Sequence, residues 1–376
     1  MQNFDAIRPY RDDEVPVVID RLSRDPDLLR AAAALFAPRL SRGLPWLARR
    51  LAQRVIQRRT AGLSSVEDVQ LWLSRYMARL IRDTVQELTV EGLDALRTDQ
   101  ACLFVSNHRD IVMDSGLLNY LLHQAGHRTA RMAVGDNLLS EPYAADLMRL
   151  NKSFVVERSI PGARAAYQAL VRTSSYIRHS LEEGESVWIA QREGRTKDGF
   201  DRTDPALLKM ISLAYRKQLA GFDELLERVR LVPVSVSYEL DPCDNRKAHE
   251  LYMVARDGHY AKQPGEDLAS MVDGIVGYKG RVHIRVSPPM AGAFEDPDAL
   301  AAALDRTIVG GMRVFPTHVA AARRLGLAER EADVPPLPRV TRAFESRIAA
   351  CPPEERPYLL GNYGHLLENR RILGLD

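Results

Sequence analysis

Apolar residues recur at helical spacing through the first part of the chain. Between residues 15 and 85 they return every three or four positions, the period of one face of an amphipathic helix. Ser64 and Glu67 have the spacing of a capping box at the start of one of these helices. The pattern predicts an N-terminal helical domain over residues 1–87.

From residue 88 onward, short apolar runs alternate with segments of helical period. The runs predict strands at 88–90, 103–106, 130–134, 153–156, 186–190, 229–238, 251–254 and 282–286. Helices are predicted between several of them, at 115–126, 138–150, 161–183, 206–227 and 263–274. This alternation predicts an α/β domain over residues 88–290, with a mostly parallel central sheet covered by helices. Residues 291–376 are predicted to form a helical C-terminal extension.

Composition and the lengths of the apolar runs argue against a disordered chain and against a membrane-spanning one. The 376 residues are 45% hydrophobic and 27% charged, with a formal net charge of +2, which is ordinary for a globular chain. No stretch approaches the roughly 18 apolar residues of a membrane span, and no apolar leader stands near residue 1. We therefore expect a cytoplasmic protein whose membrane contact, if it has one, is peripheral. The cysteines, Cys102, Cys243 and Cys351, lie far apart, which fits a reducing compartment and predicts no metal site.

Residues 39–59 form an arginine-rich segment with seven arginines and no acidic residue. Trp46, Leu51 and Val55 are interleaved with these arginines. Such a segment can lie on an anionic bilayer, where each basic residue contributes about 1 kcal/mol. The alternative is a solvated helix face that packs on the protein through its apolar side. No nucleic-acid-binding motif accompanies the charges, so we expect no nucleic-acid partner.

A histidine with nearby carboxylates follows the predicted strand at 103–106. Asn107 and His108 come directly after the strand, and Asp110 and Asp114 follow two and six residues after the histidine. An imidazole can remove a proton from a hydroxyl group when a carboxylate holds its ring in one tautomer. Asp114, at the predicted start of a helix, is the favoured partner of His108, and Asp110 is its rival.

Two further polar segments follow predicted strands. Arg158 comes after the strand at 153–156, close to the start of a helix, where a phosphate group can bind. Glu193, Gly194, Arg195 and Lys197 follow the strand at 186–190, in a turn whose backbone N–H groups can hold an anion. Ligands of parallel sheets bind beyond the carboxyl ends of the strands, so we expect these segments and His108 to share one cleft.

Four sequence blocks, in this order, resemble the glycerophospholipid acyltransferase superfamily. Asn107-His108 with Asp114 is similar to the N-H-x4-D block of that family. The segment from Phe154 to Arg158 resembles its F-[IV]-x-R block, and Glu193-Gly194-Arg195-Thr196 its [PV]-E-G-[TG]-R-S block. Val232-Pro233-Val234 resembles its V-P-[IV] strand. The resemblance covers about residues 88 to 290.

The resemblance implies transfer of a fatty acyl group from an acyl carrier protein or coenzyme A thioester to a hydroxyl of glycerol-3-phosphate or 1-acylglycerol-3-phosphate. His108 would act as the general base and Asp114 would orient its ring. The acceptor phosphate would bind Arg158, Arg195 and Lys197, supported by Asn107, Glu193 and Gly194. No cofactor or metal is implied beyond the thioester co-substrate. The arginine-rich segment fits an enzyme at the inner face of the membrane, and equally fits docking of an acidic acyl carrier protein.

The blocks depart from the family pattern in ways that leave the substrate open. Five residues separate His108 from Asp114 instead of four, and the second block is one residue longer. The third block lacks the residue between Gly194 and Arg195, and has Arg192 before Glu193. The alternatives are an acyltransferase for another lysolipid or hydroxylated acceptor, and a non-catalytic peripheral lipid-binding protein.

Overall fold

The structure is a computed structural model that describes residues 3–139, 141–158, 160–219, 221–263, 265–327 and 330–375. The strands are β1 (Val85–Glu91), β2 (Leu103–Ser106), β3 (Arg131–Gly135), β4 (Ser153–Val156), β5 (Val187–Ala190), β6 (Leu231–Tyr238) and β7 (Gly280–Val286). The first eight α-helices are α1 (Val15–Arg24), α2 (Pro26–Phe36), α3 (Pro38–Gly43), α4 (Pro45–Thr60), α5 (Val66–Thr84), α6 (Met113–Gln124), α7 (Pro142–Leu150) and α8 (Ala163–Glu182). The remaining helices are α9 (Pro205–Ser212), α10 (Phe222–Val229), α11 (Asp244–Asp257), α12 (Glu266–Val276), α13 (Pro297–Gly311), α14 (Pro316–Arg324), α15 (Pro338–Ala350) and α16 (Arg356–Ile372).

Proline marks many of the helix starts. Eight of these helices (α2, α3, α4, α7, α9, α13, α14 and α15) begin with a proline. A proline at the first helical position costs no hydrogen bond, because an N–H group there would have no partner within the helix. The fixed φ of proline also suits the helix. The helix boundaries therefore follow from local backbone chemistry as much as from the apolar pattern.

The chain forms two compact units. The smaller unit comprises residues 1–76 and 131–169, and the larger unit comprises residues 77–130 and 170–376. In the smaller unit, β3 and β4 form a parallel pair, and helices α1, α5 and α7 enclose a core that includes Val18, Val69 and Leu150. Asp146 on α7 ties this core to the N-terminal segment, because its carboxylate accepts hydrogen bonds from Tyr10 and Arg21. The predicted boundaries at residues 87 and 290 stay a prediction.

Five strands of the larger unit form a sheet in the order β1-β7-β6-β2-β5. The pairs β1–β7, β6–β2 and β2–β5 are parallel, and β6–β7 is antiparallel. Every residue of β2 and β6 is buried, which fits the predominantly apolar sequences of these central strands. The predicted α/β class, with its mostly parallel sheet and its helical ends, is confirmed.

Two predicted elements were wrong in detail. The apolar run at 251–254 is not a strand, because it lies inside α11, where its neighbours continue a helical period. The single helix predicted over 206–227 is instead two helices, α9 and α10. None of the helices in the described parts of the chain is both long enough and apolar enough to span a membrane.

Helix α16 packs closely against α14 within the larger unit. Gly364 makes the approach possible, since a Cβ atom there would lie 2.8 Å from the backbone nitrogen of Ala322. Beside this contact, Tyr363 packs edge-on against Phe344 of α15, with ring centroids 5.1 Å apart. His318 on α14 is also buried here, and burial lowers the pKa of its imidazole to about 3. The helical tail is thus an integral layer of the larger unit.

The packing predicts that Gly364→Ala destabilises the protein. The added methyl group has to displace the backbone of α14, which costs about 1–3 kcal/mol in a packed core. Gly310→Ala is the matched control, because its Cβ would meet only Leu375, at an ordinary 3.6 Å. Urea unfolding should show a lower midpoint for Gly364→Ala and an unchanged or higher one for Gly310→Ala. Equal midpoints would contradict the proposed close contact.

Candidate active site

His108 lies two residues beyond the end of β2 and is paired with a buried carboxylate. Its Nδ1 atom is 2.9 Å from Oδ2 of Asp114, whose side chain has no solvent exposure. The histidine side chain is 14% exposed, and its Nε2 atom has no hydrogen-bond partner among the described residues. This geometry suits a general base, because one ring nitrogen is anchored and the other is open to a ligand.

Asp114, in the first turn of α6, accepts three further hydrogen bonds. The backbone N–H groups of Arg109 and Asp110 donate to Oδ2 at 2.7 and 2.9 Å. The hydroxyl of Tyr238, at the end of β6, donates to Oδ1 at 2.8 Å. A carboxylate without solvent needs such donors, and the N-terminus of a helix favours its charge. Asp114 is therefore both the partner of His108 and the centre around which the loop is folded.

Asp110 has a different role in the same loop. Its Oδ1 atom accepts hydrogen bonds from the backbone N–H groups of Val112 and Met113, where α6 begins. Burial, and then the charge of Asp114, raise the pKa of Asp110. The two aspartates thus hold opposite ends of the loop between His108 and α6, and the choice that the sequence left open falls on Asp114.

Asn107 supports the histidine from within the sheet. Its side-chain amide donates to the carbonyl oxygen of Val236 at 2.9 Å and accepts from the N–H of Val236 at 2.8 Å, so it extends the pairing of β2 with β6. On the other side, Trp188 of β5 donates its indole N–H to the hydroxyl of Ser106 at 2.9 Å. The Trp188 ring also meets the His108 ring edge-on, with centroids 5.8 Å apart. These contacts fix where the imidazole emerges from the sheet.

A four-residue loop, residues 192–195, is extruded beside His108. The ladder between β2 and β5 runs from Val187 N–H to the Cys102 carbonyl, and continues from Gln191 N–H to the Ser106 carbonyl. The next carbonyl, that of His108, accepts instead from Thr196 N–H at 2.7 Å. The step from Ser106 to His108 is two residues, whereas the step from Gln191 to Thr196 is five. The segment after β5 is therefore three residues longer than a regular ladder needs, and residues 192–195 form a loop. Gly194 lies there at φ +74°, exposed to solvent.

The predicted phosphate ligands of this segment already have protein partners. Arg195 donates from Nη1 to the hydroxyl of Ser270 on α12 at 2.8 Å. Lys197 forms an ion pair with Glu250 on α11. Both side chains are partly exposed. Arg195 and Lys197 flank Thr196 in the chain. Because the N–H of Thr196 donates to the carbonyl of His108, both residues lie in the surroundings of the histidine.

The other two predicted residues occupy different places. Glu193 lies exposed in the 192–195 loop of the larger unit. Arg158 belongs to the smaller unit, where its backbone N–H donates to Asp136 at 3.1 Å and its guanidinium lies against Gly135. The convergence of Arg158 with His108 on one cleft stays a prediction.

The sequence did not reveal a buried polar network beneath the loop. Arg109 donates to the Asp201 carboxylate at 2.5 Å and to the carbonyl oxygen of Asn362, on α16, at 3.1 Å. Asp201 also accepts from the hydroxyl of Thr196 at 2.7 Å. The network therefore joins the residue after His108, the segment after the 192–195 loop, and the C-terminal helix.

A second ion pair extends this network. Lys247 donates to the Asp241 carboxylate at 2.5 Å and to the carbonyl oxygen of Arg109 at 2.7 Å. Burial alone would raise the pKa of Asp241, but the charge and hydrogen bond of Lys247, together with the hydrogen bonds from Cys243 N–H and Asn362, hold that pKa at about 2. Asn362 also donates to Asp241, at 3.1 Å. In the sequence, the one hint of this network is that Arg109, its central cation, directly follows His108.

A small cavity lies within the network, lined by Arg109, Tyr238, Asp241, Met312, His318, Asn362 and Tyr363. The Nε atom of Arg109 is buried and has no partner among the described residues. The polar lining suits an internal water molecule. In the described parts of the chain, no cluster of three or more His, Cys, Asp or Glu side chains is arranged to hold a metal ion.

Comparisons with known proteins give one family match and a similar solved structure. The family described as Acyltransferase matches residues 87–237, which contain β2, the His108–Asp114 pair and the 192–195 loop. The 1-acyl-sn-glycerophosphate (LPA) acyltransferase PlsC from Thermotoga maritima is a similar solved structure. It shares 14% sequence identity at a TM-score of 0.39, over 75% of this chain and 92% of the PlsC chain. A search among proteins of curated function found no significant match.

The fold, the histidine–aspartate pair and the matched domain define an acyltransferase. What the family match shows is an acyltransferase domain over residues 87–237. The protein is therefore described as an acyltransferase.

The bond from Tyr238 to Asp114 yields a prediction about activity. Tyr238→Phe keeps the ring but removes one of the four donors to the carboxylate, and hydrogen bonds to charged groups contribute about 1.5–3 kcal/mol. We expect kcat to fall by about 10- to 100-fold while the KM values change little, because substrate does not contact this buried hydroxyl. Steady-state kinetics and a thermal melt would be measured together. An unchanged kcat would show that His108 needs no support from Tyr238.

Proposed function

We propose that the protein transfers a fatty acyl group from an acyl carrier protein or coenzyme A thioester to a hydroxyl of glycerol-3-phosphate or 1-acylglycerol-3-phosphate. The observation that carries this proposal is the His108–Asp114 pair, with Nε2 of His108 open beside the 192–195 loop. The acyltransferase family of the domain supports the reaction class. The acceptor and the donor are the proposed part.

The mechanism follows from the pair and the loop. Nε2 of His108 removes the proton of the acceptor hydroxyl, and the oxygen attacks the thioester carbonyl carbon. Asp114 stabilises the resulting imidazolium through Nδ1. Backbone N–H groups around Gly194 stabilise the oxyanion of the tetrahedral intermediate. The carbon–sulfur bond then breaks as the ester bond is completed, and His108 passes its proton to the departing sulfur.

Cationic side chains are proposed to hold the acceptor phosphate. Arg195 uses Nη1 for Ser270, which leaves its other nitrogens for a ligand. Lys197, although paired with Glu250, keeps its positive charge next to the loop. Arg158 is proposed as the third ligand, from the smaller unit. Glu193 and Gly194 would shape the loop rather than take part in the chemistry.

Helix α4 supports a proposed contact with an anionic membrane surface. Arg50, Arg54 and Arg58 recur every four residues and are exposed, with no acidic partner among the described residues. Leu51 and Val55 are 43% and 50% exposed beside them. Ala48, three residues before Leu51 and therefore on a neighbouring side of the helix, is buried. A cationic face with exposed apolar residues suits the surface on which the lipid product is released.

The central test is a pair of matched variants at the two aspartates, with His108→Ala as the reference. His108→Ala should abolish acyl transfer, and Asp114→Asn should lower kcat by about 10²- to 10⁴-fold, the usual contribution of a positioned base. Asp110→Asn is the control, because an amide oxygen can still accept from the N–H groups at the start of α6. Thiol release from long-chain acyl thioesters measures the activity. Near wild-type activity of His108→Ala would contradict the proposed role of His108 as the general base.

The acceptor is tested by comparing hydroxyl compounds with and without a phosphate group. Because Arg195 and Lys197 are already engaged, an acceptor without phosphate is the specific alternative. Acceptor-dependent thiol release with glycerol-3-phosphate or 1-acylglycerol-3-phosphate alone would support the proposal. Equal or faster release with other lysolipids or hydroxylated compounds would favour the alternative. Vesicle binding without turnover of any thioester would indicate a lipid-binding protein instead.

Vesicle binding tests the role of α4. The triple variant Arg50→Gln/Arg54→Gln/Arg58→Gln should bind anionic vesicles roughly 100-fold more weakly, since each basic residue contributes about 1 kcal/mol at such a surface. Arg75→Gln/Arg79→Gln/Arg82→Gln, which removes the same charge from exposed positions on α5, is the control. Sedimentation with anionic and neutral vesicles at two salt concentrations measures both. Equal losses in the two triple variants would show that net charge, and not the α4 face, governs binding.

A further inference from the structure

Arg192 lies where the register of the sheet brings it beside His108. Ser106 on β2 is the partner of Ala190 on β5, and the two strands are parallel. Arg192 and His108 each lie two residues beyond this pair, after the ends of strands that run side by side about 5 Å apart. The ladder still holds at Gln191, whose N–H donates to the Ser106 carbonyl at 2.8 Å. Arg192 is therefore the first residue of the extruded loop and the one that starts next to the histidine.

Trp188 marks the face of the sheet that carries His108. It lies two residues before Ala190 on β5 and contacts both the Ser106 hydroxyl and the His108 ring. Side chains two residues apart on a strand share a face, so Trp188 and Ala190 lie on this face of β5. Arg192 comes two residues after Ala190, where β5 has ended and the loop begins.

The guanidinium of Arg192 has no protein partner in the described parts of the chain. Its Nε atom is buried without a hydrogen bond, and the side chain as a whole is only partly exposed. A partly buried guanidinium without a counter-ion is costly unless a ligand supplies one. By contrast, Arg195 and Lys197 are held by Ser270 and Glu250.

We propose that Arg192 binds the phosphate monoester of the acceptor and so contributes to acceptor specificity. In a glycerol phosphate, only a three-carbon backbone separates the phosphate ester from the reacting hydroxyl, so its anion must bind close to the general base. The phosphates of an acyl thioester lie at the far end of the pantetheine arm from the reacting carbonyl. The guanidinium fork matches a phosphate in two parallel hydrogen bonds. This inference rests on the proposed function, and it assigns the phosphate to a residue at which the third block departs from the family pattern.

The experiment compares wild type, Arg192→Gln and Arg192→Lys, with Arg97→Gln as the control. Arg97 is an exposed arginine paired with Asp99 and lies far in sequence from the loop. Its substitution by glutamine removes the same charge as Arg192→Gln. Steady-state kinetics give kcat, the acceptor KM and the donor KM. Calorimetric titration with glycerol-3-phosphate, without any donor, gives acceptor affinity independently of turnover. Circular dichroism and thermal melts establish that each variant is folded.

We expect Arg192→Gln to raise the acceptor KM and Kd by about 10- to 100-fold, the loss of a charge-assisted pair, with the donor KM unchanged. Arg192→Lys should recover part of the loss, and Arg97→Gln should match wild type. Acceptor KM and Kd values that are unchanged in Arg192→Gln, or a rise in donor KM alone, would overturn the inference.

The same data separate this inference from the proposed function. A wild-type enzyme that acylates glycerol-3-phosphate normally, and an Arg192→Gln variant that does so equally well, would reject the inference and keep the function. Arg192-dependent binding of glycerol-3-phosphate without acyl transfer would keep the phosphate site and reject the function. A wild-type protein that neither binds nor acylates a phosphorylated acceptor would reject both.

Discussion

The buried carboxylate of Asp114 is the constraint around which the active site is built. A charge removed from water has to be compensated by donors, and an unpaired one would cost several kcal/mol. Here the donors are the imidazole of His108, two successive backbone N–H groups and the hydroxyl of Tyr238. Because two of these donors are backbone N–H groups, the hydrogen bonds to the Asp114 carboxylate also fix the path of the loop. The loop between His108 and Asp114 therefore bends around this carboxylate.

Buried ion pairs support the loop that carries His108. Arg109 faces Asp201 and Asn362, and Lys247 faces Asp241. Buried ion pairs contribute little net stability compared with well-packed apolar side chains, but removing one partner is strongly destabilising. We read this network as a means of fixing geometry, because it links the loop of His108, the segment after Thr196 and helix α16. Gly199, whose missing Cβ would lie 2.4 Å from the Gly361 carbonyl oxygen, lets that segment touch the helix.

The sequence was a sound guide where the signal is local. Continuous apolar runs marked β2 and β6, and four blocks in order marked the acyltransferase domain. The run at 251–254 misled because four apolar residues fit a strand or one side of a helix equally well. The choice of Asp114 over Asp110 needed the path of the loop. Asn362 joins the site through a contact across 253 positions of sequence, which no local pattern can indicate.

That separation in sequence has a consequence for synthesis in the cell. The histidine, the aspartate and both central strands emerge from the ribosome long before the helix that carries Asn362. Until that helix docks, Arg109 lacks one of its two anchors, and the surface that α16 later covers stays open to water. Catalytic competence should therefore appear late and abruptly during translation, after a long interval in which a chaperone has an apolar groove to recognise. An enzyme built in this way cannot begin to act while it is still half made.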